Sequence, residues 1–253
     1  MKAFFDLQNK SFVITGAGSG IGKETAGLCY EYGAKLLLID KNEQGLLDSA
    51  AQMDPARICI QAIDLTNYAD LESIIAEATD KLGLYSGLCH SAGFEYTLPI
   101  KSMTPQKYME LFAVNTIAAF ELSRILSKKK FLREAGASFV FIASIMGLVG
   151  RPGLTGYAAS KGALISGAKS MALELAAKKI RVNCVSPGTV RTDLIEKMLA
   201  NLEPEQREKR LSDYPLGIGS PEDVANIVAF LLSERSKWIT GTNITIDGGY
   251  TAK

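Results

Sequence analysis

The sequence predicts an α/β domain built on a doubly wound parallel sheet, and three observations carry that prediction. Short apolar runs alternate with longer amphipathic stretches along all 253 residues. The runs are almost continuously apolar, the pattern of strands buried on both faces. A glycine-rich turn separates the first run from the first amphipathic stretch, where a strand hands over to a helix.

Seven strands are expected, at Ser11–Thr15, Lys35–Asp40, Arg57–Ala62, Gly87–Ser91, Ser138–Ala143, Arg181–Ser186 and Thr242–Ile246. Helices are expected at Gly20–Tyr32, Tyr68–Leu82, Pro105–Ser127, Gly156–Lys178 and Pro221–Ser233. Gly33 reads as the C-terminal cap of the first helix, and Ser220-Pro221 as cap and first residue of the last. Right-handed crossovers then give a seven-stranded sheet with helices on both faces. No internal repeat, low-complexity tract or linker divides residues 1–253, so one domain is expected. The segment Thr189–Gly219 breaks the rhythm with dense charge and two prolines, Pro204 and Pro215. It follows the sixth strand, where an insertion reads either as a lid over a ligand crevice or as a solvated helical excursion.

Composition excludes several function classes. The chain is 47% hydrophobic and 22% charged, enough for a large core and unlike a disordered chain. With 28 basic against 27 acidic residues, nothing favours nucleic acid as a partner. Met1 to Lys10 lacks the apolar stretch of a leader, and no apolar segment reaches the ~20 residues that span a bilayer. A cytoplasmic protein is expected, with no membrane partner. Cys29, Cys59, Cys89 and Cys184 are scattered among apolar neighbours and read as small buried hydrophobes in a reducing compartment. With His90 as the single histidine, a metal site built on several histidines is excluded, and no metal is expected. His90 reads as a strand-end polar residue.

The first turn, Thr15-Gly16-Ala17-Gly18-Ser19-Gly20-Ile21-Gly22, is where backbone N–H groups can approach a pyrophosphate at a helix N-terminus. Glycines that serve only helix packing are the bland alternative. Asp40 ends the second strand 18 residues beyond Gly22, where a carboxylate accepts hydrogen bonds from both adenosine ribose hydroxyls and repels a 2′-phosphate. Ser19 stands where an arginine would bind that phosphate, and Lys41 is the one nearby residue that argues otherwise. The expected cofactor is NAD, with NADP the lesser alternative. Asp64-Leu65 after the third strand can receive an adenine amino group, and Asp64 could equally cap the next helix.

Tyr157 and Lys161 stand four apart, on one face of a helix and about 5 to 6 Å apart at Cβ. A unit charge at about 4 Å, with an effective dielectric near 20, contributes about 4 kcal/mol. That suffices to bring a phenol of pKa about 10 close to neutrality, where it can accept a proton from an alcohol. The same spacing also occurs on exposed helix faces without any role.

Taken in order, these residues resemble the short-chain dehydrogenase/reductase family over essentially the whole chain. The family's T-G-x-x-x-G-I-G is present at Thr15 to Gly22 and its Y-x-x-x-K at Tyr157 to Lys161. Its serine is matched by Ser144 in Ile142-Ala143-Ser144, 13 residues before the tyrosine, and its asparagine by Asn115 in Leu111-Phe112-Ala113-Val114-Asn115. Pro187-Gly188-Thr189 with Thr192, and Ile246-Asp247-Gly248-Gly249, also match. One departure is His90-Ser91-Ala92-Gly93 where many members have N-N-A-G; the shorter Ser91 puts the hydrogen bonding near the adenosine ribose in doubt.

The resemblance implies a Rossmann fold and hydride transfer between a nicotinamide and a secondary alcohol or carbonyl substrate. It implies Tyr157 as acid/base group, Lys161 lowering its pKa and holding the ribose, and Ser144 donating to the substrate oxygen. It further implies Asn115 supporting a water beside the lysine, with Pro187, Gly188, Thr189, Val190 and Thr192 near the nicotinamide and phosphates, and Ser91, Ala92 and Gly93 along the cofactor. A homotetramer or homodimer is common in the family, and the apolar faces of Leu111 to Leu126 and Ala158 to Leu175 could pair, or simply pack in the core. The C-terminal half is similar to 3-oxoacyl-(acyl carrier protein) reductases, which usually prefer NADPH, against the reading of Asp40 and Ser19. NAD-linked sugar, polyol and hydroxysteroid dehydrogenases share the scaffold. Phe94, Tyr96, Met146, Val149, Leu194 and Tyr214 are candidate pocket walls for a partly hydrophobic substrate, or lid packing. A catalytically silent dinucleotide sensor is the alternative of another class, disfavoured by the complete set Asn115, Ser144, Tyr157 and Lys161.

Overall fold

β1 (Ser11–Thr15) is buried at all five positions, so the sheet it enters must be covered on both faces. The computed structural model describes residues 5–252, with the side chains of Asp193, Leu194 and Lys209 outside that description. β2 (Lys35–Asp40), β3 (Ile58–Ala62), β4 (Tyr85–His90), β5 (Ala137–Ile142), β6 (Ile180–Pro187) and β7 (Asn243–Ile246) complete one sheet. Its order is β3-β2-β1-β4-β5-β6-β7 and every pairing is parallel. This is the single-domain, seven-stranded Rossmann architecture that the apolar runs predict. The strand order reverses between β1 and β4, and in such sheets the crevice at that point is where ligands bind.

Alternation along the strands divides the core in two. Val13, Leu37 and Phe139 face α3 (Tyr68–Leu82), α5 (Ala118–Leu126) and α6 (Thr155–Leu175), with Leu71, Ile75, Leu122 and Leu164 filling the gap. Phe12, Ile14 and Leu38 face the other way, against α1 (Gly20–Glu31), α2 (Glu43–Ala50) and α9 (Pro221–Leu232). Each such side chain contributes about 1.5–3 kcal/mol when fully buried. Helix ends follow local chemistry. Gly33, at φ +88°, closes α1, with Gly33 N donating to Tyr30 O at 2.9 Å and Ala34 N to Cys29 O at 3.1 Å. Ser220 and Asp223 cap α9 reciprocally, Asp223 N donating to Ser220 Oγ and Ser220 N to Asp223 Oδ2.

Two departures from the sequence reading concern the site. α2 was not expected; Asn42 nucleates it by accepting from Gly45 N at 3.1 Å, in a stretch too short to show helical periodicity. The single helix expected over Pro105–Ser127 is interrupted. α4 (Pro105–Phe112) and α5 flank a π-helical turn, Ala113–Ile117, closed by Ala118 N donating to Ala113 O. Tyr68 Oη also donates to Ala113 O, at 2.9 Å, and Thr116 Oγ1 to Ser160 O, at 2.9 Å, so tertiary bonds support the wider turn. Residues 189–219, read as a lid or a helical excursion, fold into α7 (Asp193–Ala200) and α8 (Pro204–Ser212), joined at their base by Arg191 N donating to Gly219 O and Gly219 N to Thr189 O.

The strand bounds shift by a residue or two, β4 beginning at Tyr85 and ending at His90. Three cysteines are buried as expected, but Cys59, near the sheet edge on β3, is only half-buried. Among the described residues no helix is long and apolar enough to cross a membrane.

Candidate active site

Above the carboxyl ends of β1, β2 and β4 lies a cleft of about 930 Å³. Gly16, Ser19, Gly20, Ile21, Asp40, Asp64, Leu65, Ser91, Ala92, Gly93 and Thr192 all line it. Two glycines make its floor possible. At Gly16, φ is +67° and a Cβ would stand 2.8 Å from Ala92 N; at Gly22 a Cβ would strike Gly16 O at 2.1 Å. Only hydrogen at both positions lets the loop, the helix and the neighbouring strand end meet. The open N-terminus of α1 thus faces the cleft with no side-chain cap, and no acidic residue stands in its first turn.

The Asp40 carboxylate sits at the mouth of this loop, Oδ2 accepting from Gly18 N at 3.0 Å and Oδ1 from Asn42 N at 2.9 Å. Asp64 does not cap α3, whose N-cap is Asn67. Instead Asp64 Oδ1 accepts from Thr66 N and Thr66 Oγ1, at 2.9 and 2.7 Å, and this bonding holds the carboxyl below its ordinary pKa. Pro187, Gly188, Thr189 and Val190 flank the cleft without lining it. Gly188 N donates to Ile246 O at 2.8 Å, and Thr189 N to Tyr214 Oη at 3.1 Å. Thr192 caps α7 by accepting from Ile195 N, and its methyl group lies over Gly20.

Asn115, Ser144, Tyr157 and Lys161 converge at the carboxyl ends of β4 and β5. Asn115 is fully buried in the π-helical turn. Its Oδ1 accepts from Phe94 N, and its Nδ2 donates to Phe94 O and to Ser160 Oγ, all at 3.0 Å. Both amide hydrogens are therefore committed to fixing the loop after β4 onto α6. Lys161 Nζ donates to Ile142 O at 2.7 Å and lies 5.8 Å from the centre of the Tyr157 ring. A Cβ at Gly93 would stand 2.9 Å from Asn115 Oδ1 and 3.2 Å from Lys161 Nζ, so all three residues meet at one point.

Their electrostatics differ from the expectation for Tyr157. Burial pushes its pKa up to about 12, the Ser144 hydroxyl pulls it down, and the Glu95 carboxylate raises it. Lys161 is not what lowers it. The ammonium is turned to Ile142 O, and burial brings its own pKa down to about 8. At neutral pH Tyr157 holds its proton.

A family model described as "Enoyl-(Acyl carrier protein) reductase" matches residues 16–251. The chain is 35% identical to 2-(S)-hydroxypropyl-CoM dehydrogenase 3 of Xanthobacter autotrophicus, over 97% of this chain and 98% of that one. It is 34% identical to a 3-oxoacyl-[acyl-carrier-protein] reductase of Thermotoga maritima, over 96% and 98%. This chain belongs to the short-chain dehydrogenase/reductase family. A crystal structure of a family member from Brucella melitensis, described as a glucose/ribitol dehydrogenase, superposes with a TM-score of 0.90 at 32% identity, covering 99% of each chain.

In this short-chain dehydrogenase/reductase the departure at His90 has a structural consequence. His90 is fully buried, Nδ1 paired with Thr15 Oγ1 at 3.0 Å and Nε2 with Val114 O at 3.1 Å. Burial, and secondarily the Lys161 charge, lower its pKa to about 3, so the ring is neutral, with Nε2–H donating to Val114 O and Nδ1 accepting from Thr15. Thr15 Oγ1 also accepts from Ala92 N at 3.2 Å. The imidazole thus joins the glycine loop, the loop after β4 and the turn that carries Asn115. Of the expected pocket walls, Phe94 lines the cleft, Met146 and Tyr214 are buried, Tyr96 donates to Glu110 Oε2 at 2.6 Å, Val149 packs on the Ile145, Met146 and Leu154 cluster, and the side chain of Leu194 lies outside those described. Sequence reasoning missed Ser160, Glu95 and Tyr250. Each lies within three residues of a motif, Ser160 inside Y-x-x-x-K, Glu95 just past Gly93 and Tyr250 just past Gly249, and that adjacency was the available signal.

Proposed function

We propose that this short-chain dehydrogenase/reductase is an NAD-dependent enzyme that moves a hydride between the nicotinamide and a secondary alcohol or carbonyl substrate. The observation that carries the reading is the meeting of half-buried Tyr157 with the Ser144 hydroxyl, with the Lys161 Nζ 5.8 Å from the ring centre. The cleft suits a dinucleotide: a glycine floor that any Cβ would fill, an uncapped helix N-terminus for phosphates, and a carboxylate at the ribose end. Gly16, Ser19, Gly20, Ile21 and Gly22 would hold the pyrophosphate side. Asp40 would take the adenosine ribose, Asp64 and Leu65 the adenine, and Ser91, Ala92, Gly93, Lys161 and the Pro187–Val190 segment with Thr192 the nicotinamide side. The bound dinucleotide supplies or accepts the hydride.

The protein's own work is proton transfer and orientation. In carbonyl reduction Tyr157 donates its Oη proton to the substrate oxygen, while Ser144 donates a hydrogen bond that stabilises the developing charge. In alcohol oxidation the same proton returns to Tyr157. Asn115 acts through its clamp on Phe94 and Ser160, holding the loop and α6 at a fixed separation. Residues 189–219 form a lid whose ends are stapled together and whose Tyr214 bonds Thr189. Assembly as a homotetramer or homodimer belongs to this reading, supported by Ile117 and Leu173, exposed on the helices flanking the site. The likeness to the Thermotoga reductase favours a second reading, an NADPH-dependent 3-oxoacyl reductase.

Two measurements test these readings. Tyr157→Phe is expected to lose at least about a hundredfold in kcat while NADH binding, followed by fluorescence, stays within about twofold. Substantial turnover by that variant refutes the role. A panel of ketones and secondary alcohols, run with NAD and with NADP, separates the two enzymes from a silent sensor, which binds and does not turn over.

A further inference from the structure

Among the described residues Arg151, six residues before Tyr157, and Arg210 make no salt bridge. Arg210 lies on α8 of the lid and Arg151 in the turn that precedes α6. Both are half-buried, and among the described residues neither is ion-paired. The Arg210 Nε is enclosed with no hydrogen-bond partner among the described residues, an arrangement that destabilises unless a ligand supplies the acceptor. Burial first, and the repelling charge of Arg151 next, hold the Arg210 pKa below the ordinary guanidinium value, so the two guanidiniums lie within range of each other.

The surroundings put this pair at the mouth of the reaction site. Tyr214 lies four residues beyond Arg210, just past the end of α8, and its ring packs 4.9 Å from that of Tyr250. Tyr250 in turn packs on the Ile145, Met146 and Leu154 cluster that also receives Tyr157. Leu154 is three residues beyond Arg151, with its N–H on Arg151 O. Glu95 acts on both Tyr157 and Arg210. Its exposed carboxylate, which accepts from Thr97 Oγ1 at 3.1 Å, offsets one of the two positive charges and leaves one uncompensated.

Resting on the hydride-transfer reading, we infer that Arg151 and Arg210 form a clamp for an oxyanion carried by the substrate away from its reacting carbon. The planar guanidinium fork matches a carboxylate, sulfonate or phosphonate through two parallel hydrogen bonds, and the enclosed Nε–H is one of the donors such a bond needs. The substrate class is therefore an oxoacid or hydroxyacid, its charge between lid and turn and its carbonyl on Tyr157. Tyr250, partly exposed where it packs on the Met146 and Leu154 cluster, would take the connecting carbons.

Matched pairs test the clamp. Acetoacetate, 4-oxopentanoate and 5-oxohexanoate are compared with their methyl esters, with acetonyl sulfonate and acetonylphosphonate as further arms that separate the oxyanions. In the native enzyme kcat/KM for the best acid should exceed that of its ester by about tenfold or more. Arg210→Gln and Arg151→Gln should each bring that ratio to within about threefold, Arg210→Lys should keep part of it, and Arg207→Gln, exposed on the same helix, should leave it unchanged. An ester as good as its acid, or a ratio that survives both glutamine variants, overturns the clamp. If no ketone oxidises NADH, the hydride-transfer reading fails separately. Calorimetric titration of the same acids into the enzyme–NADH complex then decides the clamp: binding weakened about tenfold or more in Arg210→Gln supports it, and absent or equal binding overturns it.

Discussion

Lys161 is predicted to add folding stability that grows as pH rises through the alkaline range, and Lys161→Met removes that contribution. The side chain is only 3% exposed, and burial lowers its pKa from 10.5 to about 8. Between those two values this lysine holds less of a proton in the folded protein than in the unfolded chain, so its contribution to stability increases as pH rises through the window. At about pH 7 both states are charged, and the buried ammonium costs about 3 kcal/mol relative to a fully deprotonated lysine. By about pH 9.5 roughly 2 kcal/mol of that cost has gone. The hydrogen bond to Ile142 O is lost in Lys161→Met at every pH, so it shifts the variant's whole curve without changing its slope. Urea unfolding followed by circular dichroism at several pH values gives the comparison. The native curve should climb relative to the variant's by about 2 kcal/mol between about pH 7 and about pH 9.5. Parallel curves refute the reasoning and mean that Lys161 reaches water or a counter-charge.

His90→Ala should destabilise by about 3 kcal/mol, because it opens a cavity and strips partners from Thr15 and Val114, and a shift below about 1 kcal/mol in urea unfolding counts against the bridge. The same residue predicts acid sensitivity. Its folded pKa of about 3 lies below the unfolded value, so stability is lost as pH falls below about 6, by about 1.4 kcal/mol per pH unit until about pH 3, and His90→Asn should flatten that limb. Asp40→Ser should raise the NADP-to-NAD ratio of kcat/KM by at least about tenfold, and an unchanged ratio would remove the carboxylate from cofactor selection.

The layers of this fold were legible because burial on both faces leaves a plain mark, an uninterrupted apolar run, and because Gly33 and Ser220 chose their helix ends through local hydrogen bonds. α2 and the π-helical turn were not legible. α2 has eight residues and is nucleated by one asparagine cap, and the turn at Asn115 answers to bonds from Tyr68 and Ser160, residues distant in sequence. Local propensity carries no trace of partners that arrive from other elements.

The site divides along the same line. Which residues meet could be read from motif spacing, since Asn115, Ser144, Tyr157 and Lys161 each follow a strand end or sit on a helix that the fold brings to one edge. What each does electrostatically could not. The spacing of Tyr157 and Lys161 fixes a distance on a helix but not the direction of the ammonium, which Ile142 O claims at 2.7 Å. Burial then acts on both groups with opposite sign, raising the phenol and lowering the amine, so their pKa values stand at about 12 and about 8. The amine is thus the weaker holder of its proton and the phenol the stronger, the reverse of what their spacing on the helix suggests.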